Sequence, residues 1–276
     1  MMPWLRLGSG RRLWYEDQGE GIPLVLLHGW CMSSQVWRFQ LETLQRDFRL
    51  IAPDLAGHGR SDLSPDGFTL SALCADLDEL FRHLDLRSAL LAGWSLGAQL
   101  ALQAWGTLRE RLSGLVLVSG TPRFIADDDF PHALEARELR GMQARMRRNP
   151  LITLRDFVSR MFAEAERDVC FPDGRIQRML ASIPLPEGEV ALQGLRLLGE
   201  TDLRSLLPAV DLPTLIMGGD RDAICLPLAS DYMARRIPEC RQVVFAGCGH
   251  APFLTRCTEF NDAITRFSRR IFEQGR

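Results

Sequence analysis

The sequence predicts an α/β protein, with a mostly parallel central sheet covered by helices on both faces and interrupted by a helical lid insertion. Three observations point there. From Leu24 to Ser119, short continuous apolar runs alternate with amphipathic helical patterns, and continuous apolar runs are what strands buried on both faces require. From Thr121 onward the strand pattern stops and charged, helix-favouring sequence replaces it, until "TLIMGGD" and "RQVVFAG" restore it. The expected division is a core of residues 1–120 and 208–276 with a lid of residues 121–207. Such a lid would cover the carboxyl edge of the sheet, where open α/β sheets bind ligands.

The elements follow in order. "LVLLH" reads as the first buried strand, "VWRFQLETL" as a helix and "RLIAPD" as the next strand. "LSALCADLDELFRHL" predicts a helix from Leu70 to Leu84, with Leu70, Leu73, Cys74, Leu77, Leu80, Phe81 and Leu84 on one stripe. Asp76, Asp78, Glu79 and Arg82 are expected to face away from it. "ALLAG" is a strand, "LGAQLALQAW" a helix and "LSGLVLVSG" a strand. Beyond the insertion, one helix is expected between the two restored strands and another after Phe253.

Composition narrows the function classes. The chain has 276 residues, 46% hydrophobic and 25% charged, enough for one full core with a small subdomain. A formal net charge of -2 argues against general nucleic-acid binding. No apolar run is long enough to span a bilayer, and the first residues lack the apolar core of a secretion signal. A cytoplasmic monomer is expected, bound to neither membrane nor nucleic acid. The seven cysteines (Cys31, Cys74, Cys170, Cys225, Cys240, Cys248 and Cys257) are scattered and form no C-x-x-C pair, so buried free thiols are expected rather than disulfides or a metal site. All 33 basic residues are arginine.

The chemistry starts at "GWSLGAQ". Gly-x-Ser-x-Gly at a strand-to-helix corner is a nucleophile elbow: Ser95 sits in a strained turn, and Gly93 and Gly97 are needed where a Cβ would clash between helix and strand. An alcohol is a weak nucleophile near neutral pH, so it needs a base, and the base needs an acid to hold its tautomer. "GGDRDAI" and "GCGHAPF" follow the last two strands and supply an aspartate and His250, in the order serine, acid, histidine. Position alone does not separate Asp220 from Asp222. His28 reads as shaping a turn. Developing negative charge on an attacked carbonyl needs preorganised N–H donors. Leu96, directly after the serine, and Trp30, in "HGWCMSS", are the candidates for this oxyanion hole.

The motifs "LVLLHGW", "APDLAGHGRS", "GWSLGAQ", "GGDRDAI" and "GCGHAPF", in this order over nearly the whole length, make the chain resemble the α/β-hydrolase superfamily. The resemblance implies the α/β-hydrolase fold and a Gly-x-x-Asp acid, which maps to Gly219 and Asp222 and selects Asp222 as the third catalytic residue. It also implies a structural role for Asp54. Within the superfamily, "VLLHGW", "AGWSLGA", "IPLPEGEVALQGLRLLGETDLR" and "AGCGHAPF" are similar to the carboxylesterases that demethylate pimeloyl chains carried on acyl carrier protein in biotin biosynthesis. That likeness implies an acyl carrier protein bearing a methyl-esterified dicarboxylic chain as partner, and no cofactor or metal. It implies substrate contacts at Trp30, Leu96, His250 and the "TLRDFVSRM" segment, from which Phe157 and Met161 are taken. Between Arg137 and Arg160 seven arginines face only Glu138 and Asp156. Arg155 and Arg160 are the candidates to contact the acidic carrier. Hydrolysis of other small esters, lactones or C–C bonds, and a non-catalytic binding role on the same fold, remain open alternatives.

Overall fold

The computed structural model describes residues 4–65, 67–166 and 174–273. Six strands lie where the apolar runs predict them: β3 (Ile22–Leu27), β4 (Phe48–Pro53), β5 (Ala89–Trp94), β6 (Leu112–Val118), β7 (Thr214–Gly219) and β8 (Cys240–Phe245). Two more precede them, β1 (Trp4–Arg6) and β2 (Arg12–Gln18). The sheet runs β1-β2-β4-β3-β5-β6-β7-β8. The β1–β2 and β2–β4 pairs are antiparallel, and every other pair is parallel. The antiparallel pair lay outside the sequence reading because one of its faces is only partly covered. Leu13 and Tyr15 are buried while Arg12 and Glu16 are not, so the run is broken by charge.

The centre of the sheet is fully desolvated. Leu24, Val25, Leu26 and Leu27 of β3 and Leu90, Leu91 and Ala92 of β5 have no accessible surface. Each buried leucine of this kind contributes about 1.5–3 kcal/mol. Helices α1 (Arg38–Leu44), α2 (Leu70–His83) and α3 (Leu96–Leu108) cover this half. The α2 amino end is capped by Thr69 Oγ1, which accepts the Ala72 N–H at 3.2 Å. One expectation fails on α2: Asp76 does not face water. It is 5% exposed and pairs with Arg11 at 2.5 Å, because the turn before β2 lays that guanidinium across the helix. Burial pushes the Asp76 carboxyl up and Arg11 opposes the shift.

Between β6 and β7 run α4 (Ala136–Arg148), α5 (Pro150–Arg160), α6 (Arg175–Ser182) and α7 (Gly188–Glu200). The break between α4 and α5 is local in origin: Asn149 Oδ1 accepts the Ile152 N–H at 3.3 Å, and Pro150 occupies the first position of α5. After β7 come α8 (Pro227–Ala234), and, beyond β8, α9 (Pro252–Thr255) and α10 (Cys257–Glu273). The six described cysteines are free thiols, and Cys170 lies outside the described residues. Among the described residues no helix is long and apolar enough to cross a membrane.

Candidate active site

Because β3, β5, β6, β7 and β8 run parallel, the loops that follow them open at one edge of the sheet. Ser95 follows β5 with φ 57° and ψ -115°, a conformation that costs a non-glycine residue about 1–3 kcal/mol. Its N–H donates to the Val118 carbonyl of β6 at 2.9 Å, which helps hold the turn. The flanking glycines leave room for close passage. A Cβ on Gly93 would run into the Gly97 carbonyl, and one on Gly97 into the carbonyls of Leu27 and His28.

His250 follows β8 and is fully buried. Its Nδ1 lies 2.7 Å from Asp222 Oδ2, and the other oxygen of Asp222 accepts the N–H groups of Ile224 and Cys225 at 2.8 and 3.0 Å. A carboxylate only accepts, so Nδ1 carries a hydrogen, and in the neutral imidazole the lone pair is on Nε2. That Nε2 is buried without a hydrogen-bond partner. Asp220 lies apart from the imidazole: it is exposed, and its Oδ1 accepts the Gly247 N–H at 2.7 Å.

Ser95 is 7% exposed, and its hydroxyl meets the thiol of Cys225, whose pKa is pushed well up, first by burial and then by the Asp222 charge. Leu96 opens α3, where the first N–H groups have no helical partner and the helix dipole favours negative charge. Trp30 lies after β3 and is buried, its Nε1–H donating to the Ala191 carbonyl of α7 at 2.9 Å. Phe157 of α5 meets the Trp30 ring edge-on, with centroids 4.9 Å apart. Met161 is also buried, and its carbonyl accepts the His250 N–H at 2.7 Å.

The two singled-out arginines separate. Arg160 reaches the Ala223 carbonyl at 3.4 Å, next to Asp222, and stands 3.6 Å from Glu138. Arg155 lies on another face of α5, where it lines a cavity of about 640 Å³ with Leu154, Val158, Phe162, Leu180 and Ile183.

His28 and Asp54 bind backbone. His28 Nδ1–H donates to the Gly29 carbonyl at 2.8 Å and its Nε2 accepts the Leu55 N–H at 2.9 Å. Asp54 accepts the N–H groups of Ser34 and Arg60 at 2.7 and 2.9 Å. Two contributors, Cys225 and Glu166, escaped the sequence reading, and a third, Trp94, entered it only as part of the "AGWSLGA" likeness. Trp94 Nε1–H donates to the His250 carbonyl at 2.8 Å. Cys225 lines the serine, and Glu166 is a buried carboxylate on the insertion that meets the His250 loop. For Glu166 the only local sign is its place three residues after Ala163, half of a capping box.

Residues 22–256 match the family model of the alpha/beta hydrolase fold. The chain belongs to that family, and within it is a carboxylic ester hydrolase. It is 32% identical over 262 residues to a pimeloyl-[acyl-carrier protein] methyl ester esterase of Nitrosospira multiformis, covering 93% of this chain and 98% of that protein. The esterase of the same name from Nitrosomonas europaea is 35% identical, with 89% and 95% covered. Among solved structures, an esterase from Exiguobacterium antarcticum superposes with a TM-score of 0.89 at 26% identity, covering 97% of this chain and 99% of that one.

Proposed function

We propose that this chain is a serine carboxylesterase that hydrolyses the methyl ester of pimeloyl-[acyl-carrier protein] to the free acid and methanol, a step in biotin biosynthesis. The observation that carries the chemistry is the buried His250, tied at Nδ1 to Asp222, bare at Nε2, and held through its carbonyl by Trp94, the residue before the elbow serine. Relatives of that name, about as long as this chain, support the substrate.

The steps balance with water as the only co-substrate. Ser95 Oγ attacks the ester carbonyl while its proton passes to His250 Nε2, and the carbonyl electron pair moves to oxygen. The N–H groups of Trp30 and Leu96 stabilise that oxyanion. Collapse expels the methoxy group, which takes the proton from His250 and leaves as methanol. A water molecule then gives its proton to His250 and attacks the acyl-serine. The second collapse returns the proton to Ser95 and frees the carboxylate. Trp30 and Phe157 wall the acyl chain. The same reading puts a monomeric enzyme in the cytoplasm beside its carrier-borne substrate.

The test is direct. Purified protein is mixed with the methyl ester of pimeloyl-[acyl-carrier protein], and methanol and the mass of the carrier are followed. One methanol per carrier chain is expected. Rapid hydrolysis of small free methyl esters with the carrier-linked ester left intact would overturn the substrate and keep the esterase.

A further inference from the structure

We infer that Glu166, on the helical segment between β6 and β7, is a positioning residue that holds the His250 loop in its working place. The inference rests on the proposed serine esterase mechanism. Glu166 is 6% exposed, and its two oxygens accept from four groups. Oε2 takes the N–H of Ala163 at 2.8 Å and the N–H of Gly249 at 2.7 Å. Oε1 takes the Thr255 hydroxyl at 2.5 Å and the Cys248 thiol at 3.0 Å. Three of these donors belong to the loop and helix that flank His250. Only the Ala163 bond lies within the carboxylate's own turn.

The backbone closes around the same place. A Cβ on Gly249 would run into the Met161 carbonyl and crowd the Ala163 N–H and Glu166 Oε2, so the two stretches of backbone approach closely with only the Glu166 carboxylate bridging them. The next residue along donates its own N–H to the Met161 carbonyl at 2.7 Å. Residues 248, 249 and 250 are thus each tied to the insertion, while the His250 carbonyl is tied to Trp94 beside the serine. A base must be held to within about half an ångström of its productive place, and a loop is a poor means of holding it without such support. Glu166 supplies the support on the side that the sheet does not reach.

The contacts also say which substitutions matter. Alanine removes all four acceptor interactions and leaves the Gly249 N–H buried without a partner. Glutamine can keep its oxygen on Ala163 and Gly249 and turn its amide toward Thr255 and Cys248, whose hydrogens rotate to suit. A positioning role therefore predicts rescue by the conservative change.

The experiment measures kcat and KM on a small p-nitrophenyl ester, so that carrier recognition plays no part, for the wild type, Glu166→Ala, Glu166→Gln and Glu164→Ala. Glu164 is exposed on the same turn and controls for loss of charge. Expected are a kcat for Glu166→Ala lowered at least tenfold with KM changed less than about threefold, Glu166→Gln within about threefold of wild type, and Glu164→Ala unchanged. Thermal melts of all four show that each is folded. A Glu166→Ala enzyme with wild-type kcat, or one in which KM alone moves, would overturn the inference, as would a Glutamine variant no better than alanine. A wild type inert toward small esters would instead overturn the esterase mechanism, and this inference with it.

Discussion

Every polar atom of His250 but one is engaged: its N–H by Met161, its carbonyl by Trp94, its Nδ1 by Asp222, leaving Nε2 bare. That pattern leaves Nε2 as the one ring atom open to a proton from Ser95 in the mechanism proposed above. Asp222 is fixed in the same manner by two backbone N–H groups and has one oxygen left for the ring. Two tests follow at this scale. Ser95→Ala deletes one oxygen from a residue that is 7% exposed and should abolish ester hydrolysis with the melting temperature kept; more than a few per cent residual activity would exclude the serine mechanism. Asp222→Asn should lower kcat by on the order of 10⁴, because an amide that turns its NH₂ to the ring favours the wrong tautomer. Asp220→Asn touches only the Gly247 N–H and should cost far less. The reverse ranking would move the acid to Asp220.

The strands of the parallel half were legible because both their faces are buried, so apolar runs such as "ALLAG" stand without interruption. The β1–β2 pair was not, since its one covered face gives a charged and broken run. On α2 the stripe of apolar residues was readable, yet Asp76 is buried by a partner, Arg11, from another element, and periodicity carries no news of partners. Ser95, Asp222 and His250 stood out in the sequence because each follows a strand in a glycine-bearing motif, and the structure places Asp222 against His250. Glu166 did not, since what gives it meaning is Gly249, 83 residues away. For α5 the sequence put Arg155 and Arg160 together on either side of Phe157, and the helix separates them. Arg160 is engaged by Glu138 and the Ala223 carbonyl, whereas Arg155 is exposed at the rim of an apolar cavity. Arg155→Glu should therefore lower kcat/KM for a carrier-linked ester about tenfold and leave a small free ester unchanged. The loss should shrink in high salt as screening shortens the reach of the charge below about 10 Å. Arg160→Glu should disturb both substrates, because it frees the chain beside Asp222. Equal losses on both substrates for Arg155→Glu would make that arginine scaffolding.

Across the whole molecule the insertion is fastened to the loops at the sheet edge by Met161, Glu166 and the Trp30–Ala191 hydrogen bond. The end of α5 is thereby tied to the His250 loop through the Met161 carbonyl. Beneath those loops lie two fully buried histidines. His28 and His58 have ring centroids 5.3 Å apart, in the space between the ends of β3 and β4. Burial lowers His28 from 6.5 to about 4; burial first, and then the neighbouring His28, lowers His58 to about 3. In the folded protein both rings stay neutral at pH 5, while in the unfolded chain both bind protons once the pH falls below about 6.5. The unfolded state then holds more protons, so stability is complete above pH 6.5 and declines as the pH falls toward 4 and 3. By pH 5 the linkage amounts to about 2 kcal/mol for each ring. Depressed carboxylates such as Asp202, held low by Arg204, add their own loss only at lower pH, and Asp76, pushed up by burial, works in the opposite direction. The two histidine contributions correspond to a fall in melting temperature on the order of 10 °C between pH 7.5 and pH 5. His58→Gln removes one of the two titrating rings and should roughly halve that fall. Melts followed by circular dichroism at pH 7.5, 6.5 and 5 decide the point: a melting temperature flat across the range, or a variant with the full wild-type fall, would mean that the two rings accept protons in place.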